Sequence, residues 1–155
     1  MSPAHRDVFL NSPDATAAFA GHFVPFARPG NTLLLSGEIG AGKTHFARSL
    51  IRLLDPGAFE VPSPTFTLVQ VYDGPGTEVW HADLYRLTSP DDCVELGLTE
   101  AFDTAFCLVE WPDRLGDAAP DNALTLDFAP LEDPDARKLT LRWTDPRWDG
   151  IADAT

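Results

Sequence analysis

The sequence has few of the features that mark secreted, membrane-spanning or metal-clustered proteins. Only two cysteines occur, Cys93 and Cys107, and they form no CxxC pair, so the sequence predicts neither a disulfide framework nor a zinc site. No apolar run approaches the roughly 18–20 residues that a membrane-spanning helix needs. The N-terminal stretch lacks the charged and apolar regions of a signal peptide. We therefore expect a cytoplasmic protein.

Positive charge is also scarce. The chain has 11 Lys and Arg residues against 24 Asp and Glu residues, which gives a formal net charge of −13. Nucleic-acid affinity comes mainly from Lys and Arg side chains that neutralise phosphates, so we expect no strong nucleic-acid binding by this chain alone. If nucleic acid is involved, another component should hold it. An acidity that serves only solubility is equally compatible with the composition.

The pattern of apolar residues predicts one α/β domain over residues 1–143, followed by a frayed C-terminal tail over 144–155. Ser12 and Pro13 have the composition of a helix start, and that helix should run to about Ala27. The other predicted elements are strands within 8–10, 32–36, 65–72, 77–85, 105–111, 123–129 and 138–143, and helices within 44–54, 89–98 and 99–105. This alternation, with its hairpins, predicts a P-loop NTPase-like three-layer sandwich around a mixed β-sheet.

A glycine-rich turn follows the predicted strand at 32–36. Residues 37–44, GEIGAGKT, match the pattern G-x-x-x-x-G-K-[ST] and lie between a strand and a helix, as that pattern requires. Backbone N–H groups of such a turn converge on an anion at a helix N-terminus. Lys43 should reach the β- and γ-phosphates, and the Thr44 hydroxyl should take a position on Mg²⁺. We therefore expect a nucleoside triphosphate site made by Glu38, Ile39, Gly40, Ala41, Gly42, Lys43 and Thr44.

Two further carboxylates could complete a hydrolytic site. Glu110 ends the buried strand FCLVE, where a second Mg²⁺ ligand is needed, although a strand-end acid facing water is the alternative. Asp83 ends the second hairpin strand and could position the attacking water or cap a turn. Glu38 is more simply explained as an outward, solvated side chain than as part of the chemistry.

Three other residues are candidates with equally ordinary alternatives. Thr65, in the segment SPTFT, could sense the γ-phosphate or belong to a simple proline turn. Trp111 directly follows Glu110 and could fix the loop or serve only in packing. His81 points to the same face of its strand as Asp83, and a packing role is the better expectation for it.

Five motifs together are similar to those of one family. In chain order they are the glycine turn, SPTFTLV (63–69), HADLYRL (81–87), ELGL (95–98) and LVEWPDRL (108–115). Over about residues 5–143 the chain resembles the TsaE (YjeE) family, small bacterial ATPases needed to make threonylcarbamoyladenosine in tRNA. The glycine turn alone is generic, whereas the set containing SPTFTL, DLYRL and EWP is specific.

The resemblance implies roles for these residues. Lys43 would bind phosphate, Thr44 and Glu110 would hold Mg²⁺, and Thr65 would belong to a nucleotide-sensing switch. Asp83 would act as a catalytic or water-positioning acid, and Trp111 would be a functional neighbour of Glu110 in the nucleotide-binding site. The family hydrolyses ATP weakly alone and works bound to a TsaB–TsaD complex, in which TsaD transfers the threonylcarbamoyl group. The segment expected to meet the adenine, residues 11–17, is too generic to assign.

Two other classes of protein use the same glycine turn. A small-molecule kinase usually adds an arginine-rich lid, and no lid-like arginine pair precedes the final strands of this chain. A nucleotide-dependent interaction module without hydrolysis would be expected to lack Asp83 or Glu110, and both are present. The ATPase is therefore the preferred hypothesis.

Overall fold

The protein has a mixed seven-stranded sheet with helices on both faces. The computed structural model describes residues 4–38, 42–58, 61 and 68–154. The strands are β1 (Ala4–Leu10), β2 (Thr32–Gly37), β3 (Val69–Gly74), β4 (Thr77–Asp83), β5 (Phe106–Glu110), β6 (Leu124–Pro130) and β7 (Arg137–Trp143). The α-helices are α1 (Pro13–Ala20), α2 (Lys43–Leu54), α3 (Asp91–Glu95), α4 (Leu98–Thr104) and α5 (Asp149–Ala154). Within the described ranges, no helix is long and apolar enough to cross a membrane.

The strand order is β1-β7-β6-β2-β5-β4-β3, which places β2 in the middle of the sheet. Strand β2 pairs in parallel with β5 and β6, and β4 also pairs in parallel with β5. The pairs β3–β4, β6–β7 and β1–β7 are antiparallel. A parallel strand is covered on both faces, which is why β5 is an apolar run with all of its residues buried. The predicted mixed sheet is confirmed.

Two apolar clusters lie on opposite faces of the sheet. The larger one joins α1 and α2 to the sheet through residues such as Phe19, Phe46 and Leu108. The smaller one joins α3 and α4 to the other face, around Cys93, Phe102 and Val109. Helix, sheet and helix thus form three layers, as predicted.

The first helix begins as predicted and ends earlier. Ser12 caps α1, because its Oγ accepts a hydrogen bond from the backbone N–H of Ala15 at 3.1 Å. The α-helix ends at Ala20 and continues as a 3₁₀ helix over Gly21–Phe26. Pro25 lies inside this segment, and a proline has no N–H with which to continue an α-helical ladder. The expectation of one α-helix reaching Ala27 is therefore wrong in its second half.

The prediction of a frayed tail is also wrong. After β7, a 3₁₀ turn (Pro146–Trp148) leads into α5. Trp148 and Ile151 are fully buried in the larger cluster, and the Trp148 ring stacks on Phe26 with 5.7 Å between centroids. The Trp148 indole N–H also donates to the Asn122 carbonyl oxygen at 2.7 Å. These contacts anchor the segment to the body of the protein.

Candidate nucleotide-binding site

The candidate site lies where three parallel strands end next to the N-terminus of α2. Gly37 ends β2, Asp83 ends β4 and Glu110 ends β5. The sheet register pairs Leu35 with Glu110 and Glu110 with Asp83, so the two carboxylates belong to neighbouring strands at the same level. In an open α/β sheet this edge is the usual ligand-binding position.

Two glycines of the turn have conformations that favour glycine. Gly37 has φ 135°, and a Cβ atom there would lie 2.5 Å from the Phe128 carbonyl oxygen. Gly42, which precedes α2, has φ 103°. Larger side chains at Gly37 would displace β2 from β6, so its close approach requires glycine. Ile39, Gly40 and Ala41 lie outside the described residues, and the roles predicted for their backbone stay predictions.

Glu38 is exposed, as expected for a solvated side chain. Its backbone carbonyl, by contrast, faces the site and accepts a hydrogen bond from Lys43 Nζ at 3.4 Å. The structure therefore separates the Glu38 carboxylate, which lies in solvent, from the Glu38 backbone, which belongs to the turn.

Lys43 is buried at the first position of α2, with 4% of its surface exposed. Its ammonium group donates to the carbonyl oxygens of Gly37 and Glu38, and it lies 3.7 Å from the centroid of the Trp111 ring. Burial lowers the pKa of Lys43, while the negative charges of Glu110, Asp83 and Asp113 oppose that shift. The site thus contains a cation held by carbonyl oxygens and an aromatic face.

Thr44, Glu110 and His81 form a continuous chain of hydrogen bonds. Thr44 Oγ1 donates to Glu110 Oε1 at 2.7 Å, and His81 Nε2 lies 2.7 Å from Glu110 Oε2. Glu110 is only 1% exposed and His81 is fully buried. The alternative that Glu110 is a strand-end acid facing water is therefore excluded. His81 is buried, as a packing residue would be, and it also contacts Glu110. A hydroxyl and a carboxylate this close together are oxygen ligands of the kind that Mg²⁺ prefers.

Asp83 lies on the same face of β4 as His81 and is 6% exposed. Its Oδ1 accepts a hydrogen bond from the Tyr85 backbone N–H at 3.1 Å. Its own N–H donates to the Leu68 carbonyl oxygen at 2.9 Å. Asp83 therefore caps a turn, which was one of the two alternatives. It also lies directly opposite Glu110 in the β4–β5 pairing, so it belongs to the candidate site as well.

Trp111 leaves β5 in a left-handed conformation, with φ 60°. Its backbone N–H donates to the Leu35 carbonyl oxygen at 3.2 Å, which ties the residue to the end of β2. Its ring lies 4.9 Å from the Tyr85 ring, centroid to centroid, and covers the ammonium group of Lys43. Trp111 is therefore in contact with the site and not only with the core.

Sequence reasoning missed one cation beside the turn. A Cβ atom on Gly42 would lie 3.7 Å from Arg137 Nε, so this side chain approaches the start of α2. Arg137 begins β7, opposite Pro130 of β6, and that cross-strand register could not be read from the sequence.

The predicted switch residue Thr65 lies outside the described residues. Arg86 lies on a surface pocket of about 390 Å³ that also contains Asp92 and Glu95.

Comparison with known proteins identifies the family. The model of the family described as threonylcarbamoyl adenosine biosynthesis protein TsaE matches residues 10–139. The chain belongs to the TsaE family. The matched range includes the glycine turn, Asp83, Glu110 and Trp111, so the residues of the candidate site lie within the part of the chain that defines the family.

Individual TsaE proteins match most of the chain. The tRNA threonylcarbamoyladenosine biosynthesis protein TsaE of Rickettsia bellii is 36% identical over 133 residues, which cover 86% of this chain and 92% of the relative. The Bacillus subtilis protein of the same name is 33% identical over 143 residues, covering 92% of this chain and 88% of the relative.

A solved structure also matches nearly the full length of both chains. The crystal structure of Bacillus subtilis YdiB superposes with a TM-score of 0.80 at 27% identity, and it covers 99% of this chain and 95% of its own. The P-loop NTPase-like fold predicted from the sequence is thereby confirmed.

Proposed function

We propose that this TsaE-family protein is a Mg²⁺-dependent ATPase that supports a TsaB–TsaD complex in forming threonylcarbamoyladenosine in tRNA. The observation that carries the proposal is that Lys43, Thr44 and Glu110 lie together at the N-terminus of α2. Thr44 Oγ1 donates a hydrogen bond to Glu110 Oε1 at 2.7 Å. The protein is not itself the group-transfer enzyme in this proposal.

The turn and α2 supply the phosphate-binding part. The positive end of the α2 dipole favours an anion at this point, and the backbone N–H groups of the motif over residues 38–44 would point toward it. The Lys43 ammonium group supplies a full positive charge beside it, and Arg137 adds a second cation near Gly42. Triphosphate oxygens would compete with the carbonyl oxygens that now accept hydrogen bonds from Lys43.

Thr44 and Glu110 would hold Mg²⁺, which when bound neutralises the charge that develops between the β- and γ-phosphates. Asp83 is the group proposed to orient or deprotonate the attacking water. Its backbone N–H donates to Leu68 and its side-chain Oδ1 accepts from the Tyr85 N–H, and together these contacts fix its position relative to Glu110. Thr65 is proposed as the part of a switch that senses the γ-phosphate. Trp111, whose ring covers the Lys43 ammonium group, is proposed as a nucleotide-binding residue of the same site.

The charge of the protein supports a protein partner over a direct nucleic-acid contact. With a net charge of −13, the chain alone would be repelled by a tRNA backbone. We propose that TsaB–TsaD brings the tRNA and stimulates a weak ATPase, and that the whole assembly is cytoplasmic. We also propose one ATPase domain, which the buried Trp148 extends beyond β7.

The test is phosphate release from Mg²⁺-ATP with and without a purified TsaB–TsaD complex. Low release that rises with the complex, and disappears in Lys43→Ala, would support the proposal. Arg52→Ala is the matched control, because Arg52 is an exposed cation in the last turn of the same helix. Equal release with and without the complex, or none in either condition, would overturn the partner-dependent ATPase. Transfer of phosphate to a small acceptor without free phosphate would favour a kinase instead.

A further inference from the structure

A packing role alone does not explain why the residue at position 81 is a histidine. Its imidazole is fully buried, one of its two nitrogens contacts Glu110 at 2.7 Å, and the other, Nδ1, has no hydrogen-bond partner among the described residues. Burying a polar atom without a partner costs free energy that a leucine or phenylalanine at this position would not incur. The contact with Glu110 is therefore the feature that accounts for a histidine here.

The position of His81 in β4 directs it to Glu110. Residues alternate between the two faces of a strand, so Val79, His81 and Asp83 share the face toward α2. In the sheet register His81 lies opposite Leu108 of β5, two residues before Glu110 on the same face of that strand. The imidazole can therefore reach along β5 to the carboxylate at its end.

The direction of this hydrogen bond follows from the acceptor. As a Mg²⁺ ligand in the proposed site, the Glu110 carboxylate can only accept, so we assign the hydrogen to His81 Nε2, which then donates to Oε2. Thr44 donates to the other oxygen, Oε1, at 2.7 Å. The Glu110 carboxylate is thus held from two sides, by a residue of α2 and by a residue of β4, and both of its oxygens have defined directions.

We propose that His81 is a positioning residue that holds Glu110 by Oε2 and so presents Oε1 to Thr44 and to Mg²⁺. This inference rests on the proposed function. Without the imidazole, the Glu110 side chain keeps only one of these two hydrogen bonds and can rotate away from the metal position. Groups that orient a metal ligand in this way change metal affinity by about 10–100-fold when they are replaced.

Three variants separate positioning from packing. His81→Gln places an amide N–H the same number of bonds from Cβ as Nε2, so it can donate to Glu110, whereas the amide of His81→Asn reaches only as far as Nδ1. His81→Leu fills the space without any donor. His5→Leu is the control, because His5 is an exposed histidine on β1, the strand at the opposite edge of the sheet from the β3–β4 pair.

The measurement is the Kd for ATP with Mg²⁺ and with EDTA, together with the unfolding midpoint of each variant. We expect His81→Leu and His81→Asn to weaken Mg²⁺-dependent ATP binding by about tenfold or more and to change the EDTA value by less than about threefold. His81→Gln should recover most of the loss, and His5→Leu should match the wild type.

The outcomes distinguish the two proposals. If the wild type binds ATP no better with Mg²⁺ than with EDTA, the proposed function itself fails and the role of His81 falls with it. If the wild type depends on Mg²⁺ and folded His81→Leu binds equally well, only the positioning role is overturned. Equal losses in Gln, Asn and Leu, with and without Mg²⁺, would show that His81 serves only the packing of the sheet.

Discussion

Replacing each of the two buried carboxylates by its amide should separate metal binding from hydrolysis. Glu110 and Asp83 are opposite each other in the β4–β5 register, and they are 1% and 6% exposed. Glu110 Oε1 accepts a hydrogen bond from the Thr44 hydroxyl, whereas Asp83 Oδ1 accepts one from the Tyr85 backbone N–H. Glu110→Gln and Asp83→Asn are therefore a matched pair of isosteric changes with different expected effects.

The expected loss in Glu110→Gln can be estimated from electrostatics. A unit charge about 4 Å from a divalent cation is attracted by about 8 kcal/mol at an effective dielectric constant of about 20. Dehydration of the ion and the carboxylate offsets most of this attraction. We expect a net loss of about 2 kcal/mol, which is about thirtyfold in affinity for Mg²⁺. Binding of ATP without Mg²⁺ should stay the same or tighten, because the carboxylate no longer repels the phosphates.

Asp83→Asn should leave the metal site intact and slow the reaction. The amide oxygen can still accept from the Tyr85 N–H, so the fold around β4 should be retained. Loss of a general base or of its water-orienting charge lowers turnover by about 10²–10⁴-fold. Calorimetric titration of Mg²⁺ with a non-hydrolysable ATP analogue, followed by phosphate release with TsaB–TsaD, measures both quantities. If Asp83→Asn weakens Mg²⁺ binding as much as Glu110→Gln does, the division of roles inferred from the Thr44 contact is wrong.

Two other predictions concern stability. Trp148→Ala should lower the free energy of unfolding by about 3–5 kcal/mol, because a fully buried, stacked indole is lost. Urea denaturation checks this against Val94→Ala, at a side chain that is 63% exposed, and a loss below about 1 kcal/mol would contradict an anchored tail. Burial raises the pKa of Cys107 from 9.0 to about 12, so the thiol ionises at lower pH in the unfolded chain than in the folded protein. The free energy of unfolding that burial of the neutral thiol contributes is therefore fully present below pH 9 and is lost as the pH rises toward 12. Cys107→Ala should remove about 1.4 kcal/mol of the loss between pH 8 and pH 10, and equal pH slopes in both proteins would refute the shift.

The elements with a strong local pattern could be predicted from the sequence. Phe46, Leu50, Ile51 and Leu54 recur at helical spacing, and all four are buried in α2. The strand FCLVE is apolar up to its final acid, and it is a fully buried strand with Glu110 at its carboxyl end. In both cases a single buried face or a continuous run determines the element, so local spacing was sufficient.

Contacts between distant elements could not be predicted in the same way. The stretch after Trp143 contains Asp, Pro and Gly and resembles a loop, and its order comes from Phe26, more than a hundred residues away, which stacks on Trp148. Arg137 approaches Gly42 because β7 pairs with β6, and that register depends on the assembled sheet. The alternation along the strand predicted that His81 and Asp83 share one face of it. The contact of His81 with Glu110 could not be predicted, because it depends on β4 lying beside β5.

Two donors of the candidate site already make hydrogen bonds within the protein, and this affects the affinity of the site for nucleotide. Lys43 donates to the carbonyl oxygens of Gly37 and Glu38, and Thr44 donates to Glu110. A triphosphate and Mg²⁺ would exchange these hydrogen bonds for new ones, so only the difference between the two sets contributes to binding. A partner that favours the exchanged arrangement would strengthen nucleotide binding and hydrolysis together, because it acts on the same equilibrium. That is a physical reason to expect an ATPase that is weak alone and depends on its partner complex.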